Sequence, residues 1–282
     1  MRRQKQGRKG QNFLVDRKII ERIADYACLS SSDRVLEIGP GTGNLTEVLS
    51  ERAGLVYAVE VDPALASSLK GRFRNVEVIN GDALKTDLDL LDFNKIVSNL
   101  PYQISTKITY KLLSRTFDLA ILMYQKEFAS RLAAKHESER YGRLAVTAQF
   151  FCDIEVMETV PRSAFRPEPD VSSAIVRLWP RNERASIDSE LFIGFVEGLF
   201  NNRRKKIRKA LAAMGVPRER IEGLEAELVA EKTAEMAAKG DGQGVGVRAG
   251  IDAALLDKRP EELTPDEAAC LAGSICAKMN TS

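Results

Sequence analysis

Short apolar runs alternate with amphipathic stretches through the first half of the chain. The apolar runs contain many β-branched residues and predict buried strands, at 34–38, 55–59, 76–79, 95–98 and 119–124. The stretches between them repeat apolar residues at helical spacing and predict helices, at 17–28, from about 45, and at 63–72, 106–113 and 127–135. This alternation indicates βαβ units, a parallel sheet and an α/β fold.

Two extended segments follow the parallel units. Residues 154–160 and 173–178 are separated by the Pro-rich loop 161–170, so we expect them to form an antiparallel pair that closes the sheet. The pattern of alternating strands and helices ends near Trp179-Pro180-Arg181. We therefore predict a first domain at about 1–180.

The remainder of the chain is charged, helical in its pattern and poor in β-branched runs. Its apolar residues fit stripes on helices, at Leu191, Phe195, Leu199, Ile207 and Leu211. Thr264, followed by Pro265 and two acidic residues, predicts the start of a last helix, because each of these residues is favoured there. We predict a small all-α domain at 181–282.

Composition limits the possible partners and cofactors. The chain has 282 residues, of which 44% are hydrophobic and 29% are charged, which is typical of a globular protein with a full core. No apolar run approaches the length of a membrane span, and residues 1–10 lack the apolar region of a secretory signal, so we expect a cytoplasmic protein. The four cysteines form no CxxC pair and there is one histidine, so we expect reduced thiols and no metal site.

The net charge is only +2, so a nucleic-acid partner would have to meet local basic patches. One patch is the arm at 1–10, which we expect to be flexible without such a partner. On a helix, Arg204 and Arg208 would lie one turn apart on the side opposite Ile207, and such a face suits phosphate binding, although a solvated helix face is the alternative. The basic residues of this second patch are Arg203, Arg204, Lys205, Lys206, Arg208 and Lys209.

A Gly-rich loop, Glu37–Gly43, directly follows the first predicted strand. Glycines at this place let the backbone approach a ligand closely. A dinucleotide loop needs Gly or Ala at the sixth position, but that position is Asn44 when counted from Gly39 and Thr46 when counted from Gly41. The spacing E-x-G-x-G-x-G is instead typical of the S-adenosylmethionine (SAM) loop of class I, Rossmann-like methyltransferases, and a ligand-free turn is the alternative.

Two acidic residues follow the next two predicted strands. A carboxylate at Glu60, about 20 residues beyond the glycine loop, can accept both hydroxyl groups of a ribose. A carboxylate at Asp82 can accept a hydrogen bond from the adenine amine of the same ligand. Surface-exposed acids are the alternative, but two of them on successive strands after a glycine loop favour a SAM site.

The segment Asn99-Leu100-Pro101-Tyr102 ends the fourth predicted strand. An aromatic amine is a poor nucleophile, because its lone pair is delocalised into the ring. The Asn99 side-chain oxygen and a backbone carbonyl, which we expect to be that of Leu100, can accept hydrogen bonds from the two N–H groups of the amine. Both oxygens can then stabilise the charge that develops on its nitrogen. Tyr102 can stack on a base that has been turned out of its helix. A Pro turn that merely closes the strand is the alternative.

Five further motifs accompany the loop and the turn. They are Gly-Gln-Asn-Phe-Leu at 10–14, Gln-Lys-Glu at 125–127, Tyr-Gly-Arg-Leu-Ala-Val at 141–146, Phe-Arg-Pro-Glu-Pro-Asp-Val-Ser-Ser-Ala at 165–174 and Phe-Asn-Asn-Arg-Arg-Lys at 200–205. With these motifs the chain resembles the KsgA/Dim family of ribosomal RNA adenine N6-dimethyltransferases over almost its whole length. The Gly-rich stretch at 240–250 matches no motif of the family.

The resemblance implies a SAM-dependent enzyme of ribosome biogenesis with no metal. Its substrate would be two adjacent adenosines in the hairpin loop near the 3′ end of small-subunit rRNA, each of which would receive two methyl groups. Phe165 would flank the target base opposite Tyr102. We expect a monomer that acts on the small ribosomal subunit. The residues that would line the SAM pocket are Asn12, Leu14, Gly39, Gly41, Glu60, Asp82 and Asn99.

Three alternatives share parts of this pattern. A large-subunit rRNA adenine methyltransferase that confers macrolide resistance would have the same donor site, but the motifs at 141–146 and 165–174 favour the small-subunit enzyme. A non-catalytic RNA-binding assembly or transcription factor would typically have lost the glycine loop or the Asn-Leu-Pro-Tyr turn. A DNA adenine methyltransferase would more often carry a target-recognition domain.

Overall fold

The computed structural model describes part of the chain. The basic arm at 1–10 and the Gly-rich stretch at 240–250 lie outside the described residues. No helix among those that are described is long and apolar enough to cross a membrane. The described residues are 11–181, 187–224, 226 and 253–276.

The chain separates into two compact units. The first comprises Met1–Ala133 and Phe151–Asn182, and the second comprises Ala134–Phe150 and Glu183–Ser282. The sequence predicts a single boundary near residue 180, and no pattern in it indicates that 134–150 groups with the C-terminal residues. The division into two domains stays a prediction.

The first unit is built on a seven-stranded sheet. Every strand and helix expected in this unit is present, and several strands extend slightly beyond the expected ends. The bounds are β1 (Phe13–Leu14), α1 (Arg17–Tyr26), β2 (Arg34–Ile38), α2 (Asn44–Arg52), β3 (Leu55–Glu60), α3 (Pro63–Leu69), β4 (Val76–Asn80), β5 (Lys95–Asn99), α4 (Ser105–Leu113), β6 (Leu119–Gln125), α5 (Lys126–Leu132), β7 (Cys152–Val160), β8 (Phe165–Arg166) and β9 (Ser173–Pro180).

The strand order of the sheet is β4-β3-β2-β5-β6-β9-β7. Strands β2 to β6 are parallel, and β9 pairs antiparallel with both β6 and β7, which confirms the expected closing pair. The small strands β1 and β8 pair with each other outside this sheet, and this pair was not predicted.

The order of the parallel strands reverses between β2 and β5. Their backbones pair only at the start, the last pair being Leu36 with Ile96. Beyond it the Ser98 hydroxyl donates to the carbonyl oxygen of Ile38 at 2.6 Å and accepts from its N–H at 3.1 Å. A side chain thus replaces the backbone ladder at the point where the carboxyl ends of the strands open into a crevice, which is where ligands bind in open α/β sheets.

One layer of the core lies between the sheet and the first two helices. Ile20 and Ile23 of α1 and Leu49 of α2 are buried in the same cluster as Val97 of β5. The N-terminus of α1 is capped by the Asp16 carboxylate, which accepts from two backbone N–H groups. Because each fully buried aliphatic side chain contributes about 1.5–3 kcal/mol, this layer fixes the strands that carry the crevice.

The described part of the second unit is helical. Phe150 of α6 (Arg143–Phe151) packs on Phe192 of α7 (Ser189–Asn201) with ring centroids 4.1 Å apart. The predicted last helix is present as α9 (Pro265–Cys276). At its start the N–H of Thr264 donates to the Glu267 carboxylate at 2.8 Å, and the N–H of Glu267 donates to the Thr264 hydroxyl at 3.2 Å. The helices are α6 (Arg143–Phe151, up to Phe150 in this unit), α7 (Ser189–Asn201), α8 (Ile207–Ala213), the helical residues 218–224 and α9 (Pro265–Cys276).

The expectation that the second basic patch lies on one helix is wrong. Helix α7 ends at Asn201 and α8 begins at Ile207, so Arg204 and Arg208 do not share a helical face. The residues between form a turn, in which the N–H of Lys205 donates to the carbonyl of Asn202 at 2.8 Å. Asn side chains compete for backbone hydrogen bonds and favour turns over helix interiors.

Candidate active site

A cavity of about 380 Å³ opens at the carboxyl ends of β2, β3, β4 and β5. It brings together residues that are far apart in the sequence, including every residue of the expected donor and acceptor sites except Phe165. The expected residues that line it are Asn12, Leu14, Gly39, Gly41, Glu60, Asp82, Asn99, Leu100, Pro101 and Tyr102.

The glycine loop after β2 needs its glycines for two reasons. Gly39 has φ of +71° and Gly41 has φ of +59°, both in the left-handed region that side chains disfavour. A Cβ on Gly39 would lie 3.0 Å from Cγ of Pro101, and a Cβ on Gly41 would lie 2.9 Å from the ring of Phe13. The loop is therefore in close contact with the acceptor turn on one side and with the N-terminal segment on the other.

Glu60 at the end of β3 is tied to the glycine loop. Its carboxylate accepts from the N–H of Gly41 at 3.0 Å and from the N–H of Asp62 at 2.8 Å, and only 3% of the residue is exposed. Each carboxylate oxygen has a second lone pair. The side chain can therefore hold the loop and still accept hydrogen bonds from a bound ligand.

Glu37, near the end of β2, is a further residue of the site, and its place there was not predicted from the sequence. It lines the cavity, is 2% exposed, and its Oε2 has no hydrogen-bond partner within the described residues. Burial raises the pKa of Glu37 to about 8, and the negative charge of Glu60 acts in the same direction. The nearby Thr46 hydroxyl lowers this pKa, although its geometry falls outside a direct hydrogen bond. The acid of the glycine motif was visible in the sequence, but its burial was not.

Asp82 follows β4 and faces the same cavity. Its Oδ1 accepts from the N–H of Leu84 at 3.0 Å, which leaves Oδ2 available. The N–H of Ala83 has no acceptor within the described residues. A free acceptor and a free donor thus lie side by side at this edge of the cavity.

The acceptor turn begins where β5 ends. The side chain of Asn99 and the carbonyl of Leu100 accept no hydrogen bond from any described residue, so both remain available to a substrate. The hydroxyl of Tyr102 forms a 2.6 Å hydrogen bond with that of Ser173, a buried residue at the start of β9. Burial raises the pKa of Tyr102, so the phenol stays neutral. Ser173 therefore fixes the tyrosine ring beside the cavity, a role that no local pattern predicts.

Phe165 does not line the cavity. It is fully buried in the core cluster, in β8, where it pairs with Leu14 of β1. The N–H of Val15 donates to the carbonyl of Ala164 at 2.9 Å, which adds to this pairing. Its role beside a target base stays a prediction, and that role requires the ring to become exposed.

The second basic patch lies in the second unit, and two of its residues form ion pairs with acidic residues after position 250. Arg203 forms an ion pair with Glu261, and Lys206 forms one with Asp257 at 3.0 Å. Arg203, Lys206 and Asp257 are exposed and Glu261 is partly exposed, so the pairs are weak and exchangeable. Arg204, Lys205 and Lys209 are also exposed, whereas Arg208 is half-buried.

No group of three or more His, Cys, Asp or Glu residues within the described ranges is arranged to hold a metal ion. Cys28, Cys152 and Cys270 form no disulfide bond with any described residue. The expectation that no metal takes part stays a prediction.

Comparisons with known proteins agree with the geometry of the cavity. The family model for ribosomal RNA adenine dimethylases matches residues 2–241. A probable ribosomal RNA small subunit methyltransferase A from Methanococcoides burtonii is 42% identical over 280 residues, which cover 96% of this chain and 94% of that protein.

Two solved structures resemble the whole chain. A dimethyladenosine transferase from Plasmodium falciparum has a TM-score of 0.71 and 28% identity, with 95% of this chain and 98% of that one covered. The 23S rRNA methyltransferase ErmE has a TM-score of 0.60 and 31% identity, with 93% and 99% covered. Since the family pattern spans most of the sequence and the relative from Methanococcoides burtonii matches it almost from end to end, the chain belongs to the ribosomal RNA adenine dimethylase family.

Proposed function

We propose that this protein transfers methyl groups from SAM to N6 of adenosines in small-subunit rRNA and forms N6,N6-dimethyladenosine. The finer expectation, two adjacent adenosines in the hairpin loop near the 3′ end, is part of this proposal. The observation that carries it is the contact between the two halves of the site. Gly39 of the donor loop packs against Pro101 of the acceptor turn, so a ligand on the loop and a base at the turn would meet in one cavity.

The residues of the cavity suit SAM. Glu37 offers a buried carboxyl oxygen without a partner, and Glu60 adds a second buried carboxylate. Two acids in a water-poor place favour a ligand that carries positive charge, and SAM has a sulfonium and an ammonium group. The remaining lone pairs of Glu60 suit the ribose hydroxyls, while Asp82 and the N–H of Ala83 suit the edge of adenine. When bound, SAM supplies an electrophilic methyl group.

The acceptor turn would prepare the amine for attack. The Asn99 side-chain oxygen and the Leu100 carbonyl would accept hydrogen bonds from the two N–H groups of the amine. This arrangement favours a tetrahedral nitrogen with a localised lone pair. As the new C–N bond forms, the nitrogen gains positive charge that both oxygens stabilise. The sulfonium becomes a neutral thioether, and the nitrogen then loses one proton to water. Tyr102, fixed by Ser173, would stack on the base during this step.

The second basic patch would bind rRNA phosphates. Exposed Arg and Lys side chains release counterions from RNA when they bind it, so affinity should fall steeply with salt. The exchangeable pairs of Arg203 and Lys206 would give way to phosphate. We expect a cytoplasmic monomer that needs no metal.

A large-subunit substrate is the nearest alternative, and the structural resemblance to the 23S rRNA methyltransferase ErmE supports it. The relative from Methanococcoides burtonii carries a small-subunit name and greater identity over a similar share of the chain, which favours the small subunit. The intact glycine loop and acceptor turn disfavour a non-catalytic RNA-binding factor.

One experiment tests these alternatives together. Unmethylated small and large ribosomal subunits are incubated separately with labelled SAM, and the modified nucleotides are mapped. Dimethyladenosine in small-subunit rRNA, absent with an Asn99→Ala variant, is the expected result. If only large-subunit rRNA were labelled, the proposal would be wrong and the protein would have the activity that confers macrolide resistance. If neither subunit were labelled, the result would favour a non-catalytic RNA-binding factor.

A further inference from the structure

A half-buried lysine on α4 holds the loop that follows β4. The ammonium of Lys111 donates to the carbonyl oxygens of Ala83 at 2.9 Å, Leu84 at 3.1 Å and Thr86 at 2.5 Å. An ammonium has three N–H donors, so the three carbonyls use all of them. Burial lowers the pKa of Lys111, because it removes water from around the ammonium group. The three carbonyl dipoles take the place of that water and stabilise the charged form.

These bonds act on Asp82 through the peptide planes. A carbonyl and the following N–H lie in one rigid plane, so fixing the carbonyls of Ala83 and Leu84 fixes the N–H groups of Leu84 and Lys85. The first of these N–H groups donates to Oδ1 of Asp82 at 3.0 Å, and the second donates to its backbone carbonyl at 2.8 Å. Lys111 therefore determines the orientation of the Asp82 carboxylate without touching the cavity itself.

Two residues of this loop, Asp82 and Ala83, line the cavity and carry one acceptor and one donor that no described residue uses. Oδ2 of Asp82 is an available acceptor, and the N–H of Ala83 is a donor without a partner in the described part of the chain. Adenine offers the complementary pair, an N6 amine that donates and an N1 that accepts. A 6-oxopurine offers the reverse, because its oxygen accepts and its N1–H donates.

We propose that Lys111 is a positioning residue that gives the donor site its preference for adenine over a 6-oxopurine. The inference rests on the proposed function, because it takes the cavity to be the SAM site. It extends that function by assigning base selectivity to a side chain on α4, the helix that starts directly after the acceptor turn. No motif in the sequence marks this residue.

Calorimetric binding of two product analogues tests the proposal. S-adenosyl-L-homocysteine carries adenine, and S-inosyl-L-homocysteine carries hypoxanthine in its place. The wild-type protein should prefer the adenosyl compound strongly, because a polar site rejects a ligand that leaves its groups unpaired. In Lys111→Met, the affinity for the adenosyl compound should fall about tenfold and the preference should fall by a similar factor, which corresponds to about 1.4 kcal/mol. Lys111→Arg, which keeps the charge and N–H donors, should recover part of the preference.

The matched control is Lys107→Met, an exposed lysine on the same helix, which should bind both compounds as the wild type does. A folded Lys111→Met protein with the wild-type preference would overturn the inference. If the Lys111→Met protein does not fold, Lys111→Gln takes its place, and the same change in preference is expected. Failure of the wild-type protein to bind S-adenosyl-L-homocysteine would instead overturn the assignment of the cavity as the SAM site.

Discussion

The buried carboxyl of Glu37 should make the stability of the protein depend on pH in a direction opposite to that of most acidic groups. In the unfolded chain its ordinary pKa is 4.5, whereas burial raises the pKa to about 8 in the folded protein. Between these values the folded protein binds one more proton than the unfolded chain, so the free energy of unfolding falls as pH rises. Linkage gives a loss of roughly 3 kcal/mol between about pH 5.5 and pH 8 from this one group.

Glu37→Gln removes the titration and keeps the shape of the side chain. Urea unfolding of both proteins can be followed by the fluorescence of Trp179, the only Trp of the chain, which lies in β9. The wild-type protein should lose about 3 kcal/mol more than the variant between the two pH values. The low pKa of Asp33, about 2, affects stability only in acid and does not interfere.

Glu77→Gln on the exposed face of β4 is the control, and its pH dependence should follow that of the wild type. Parallel curves for wild type and Glu37→Gln, within about 0.5 kcal/mol, would refute the claim that Glu37 is protonated in the folded protein. If Glu37 ionises to bind a cationic ligand, SAM binding should also release a proton, which calorimetry in buffers of different ionisation enthalpy can detect.

Three further substitutions separate the parts of the site. Asn99→Ala should lower the rate of methyl transfer at least about 100-fold while SAM binding stays measurable by calorimetry, and an unchanged rate would contradict the acceptor role. Ser173→Ala should release the ring of Tyr102 and cost about 1 kcal/mol in urea unfolding, with a lower rate at saturating SAM and an unchanged Kd for SAM. Gly41→Ala should cost about 1–2 kcal/mol for the left-handed backbone and weaken SAM binding, because its new methyl group meets the ring of Phe13; equal affinity would show that this ring can move away freely.

The sheet and most of its helices were predictable because each depends on a local pattern. Strand β6 carries a continuous apolar run from Leu119 to Tyr124, and α3 begins with Pro63 after a capping Asp62. The turn at 202–206 was missed because the basic residues around it continue a helical charge pattern, and only the two Asn residues signal the break. The sequence shows which residues favour an element, but not always where it stops.

The residues that line the cavity could be predicted, apart from Glu37 and the supporting residues, because ligand chemistry requires certain residue types after certain strands. The supporting residues could not, because their roles depend on contacts between distant parts of the chain. Tyr102 and Ser173 are 71 positions apart, and Ser98 and Ile38 are 60 apart. Lys111 contacts carbonyl groups, which every residue has, so no sequence pattern can indicate its partners.

These distant contacts also mean that the donor and acceptor halves of the site are not independent. Ser98 joins the ends of β2 and β5, Gly39 packs on Pro101, and Lys111 links the helix after the acceptor turn to the loop that carries Asp82. Leu14 of the donor side pairs with β8, the strand that contains Phe165. A shift of one half of the site must therefore move the other half. Such coupling suits a reaction in which a methyl group passes from one ligand to another. It follows that exposure of Phe165 to a base would loosen β1, so RNA and SAM should affect each other's affinity.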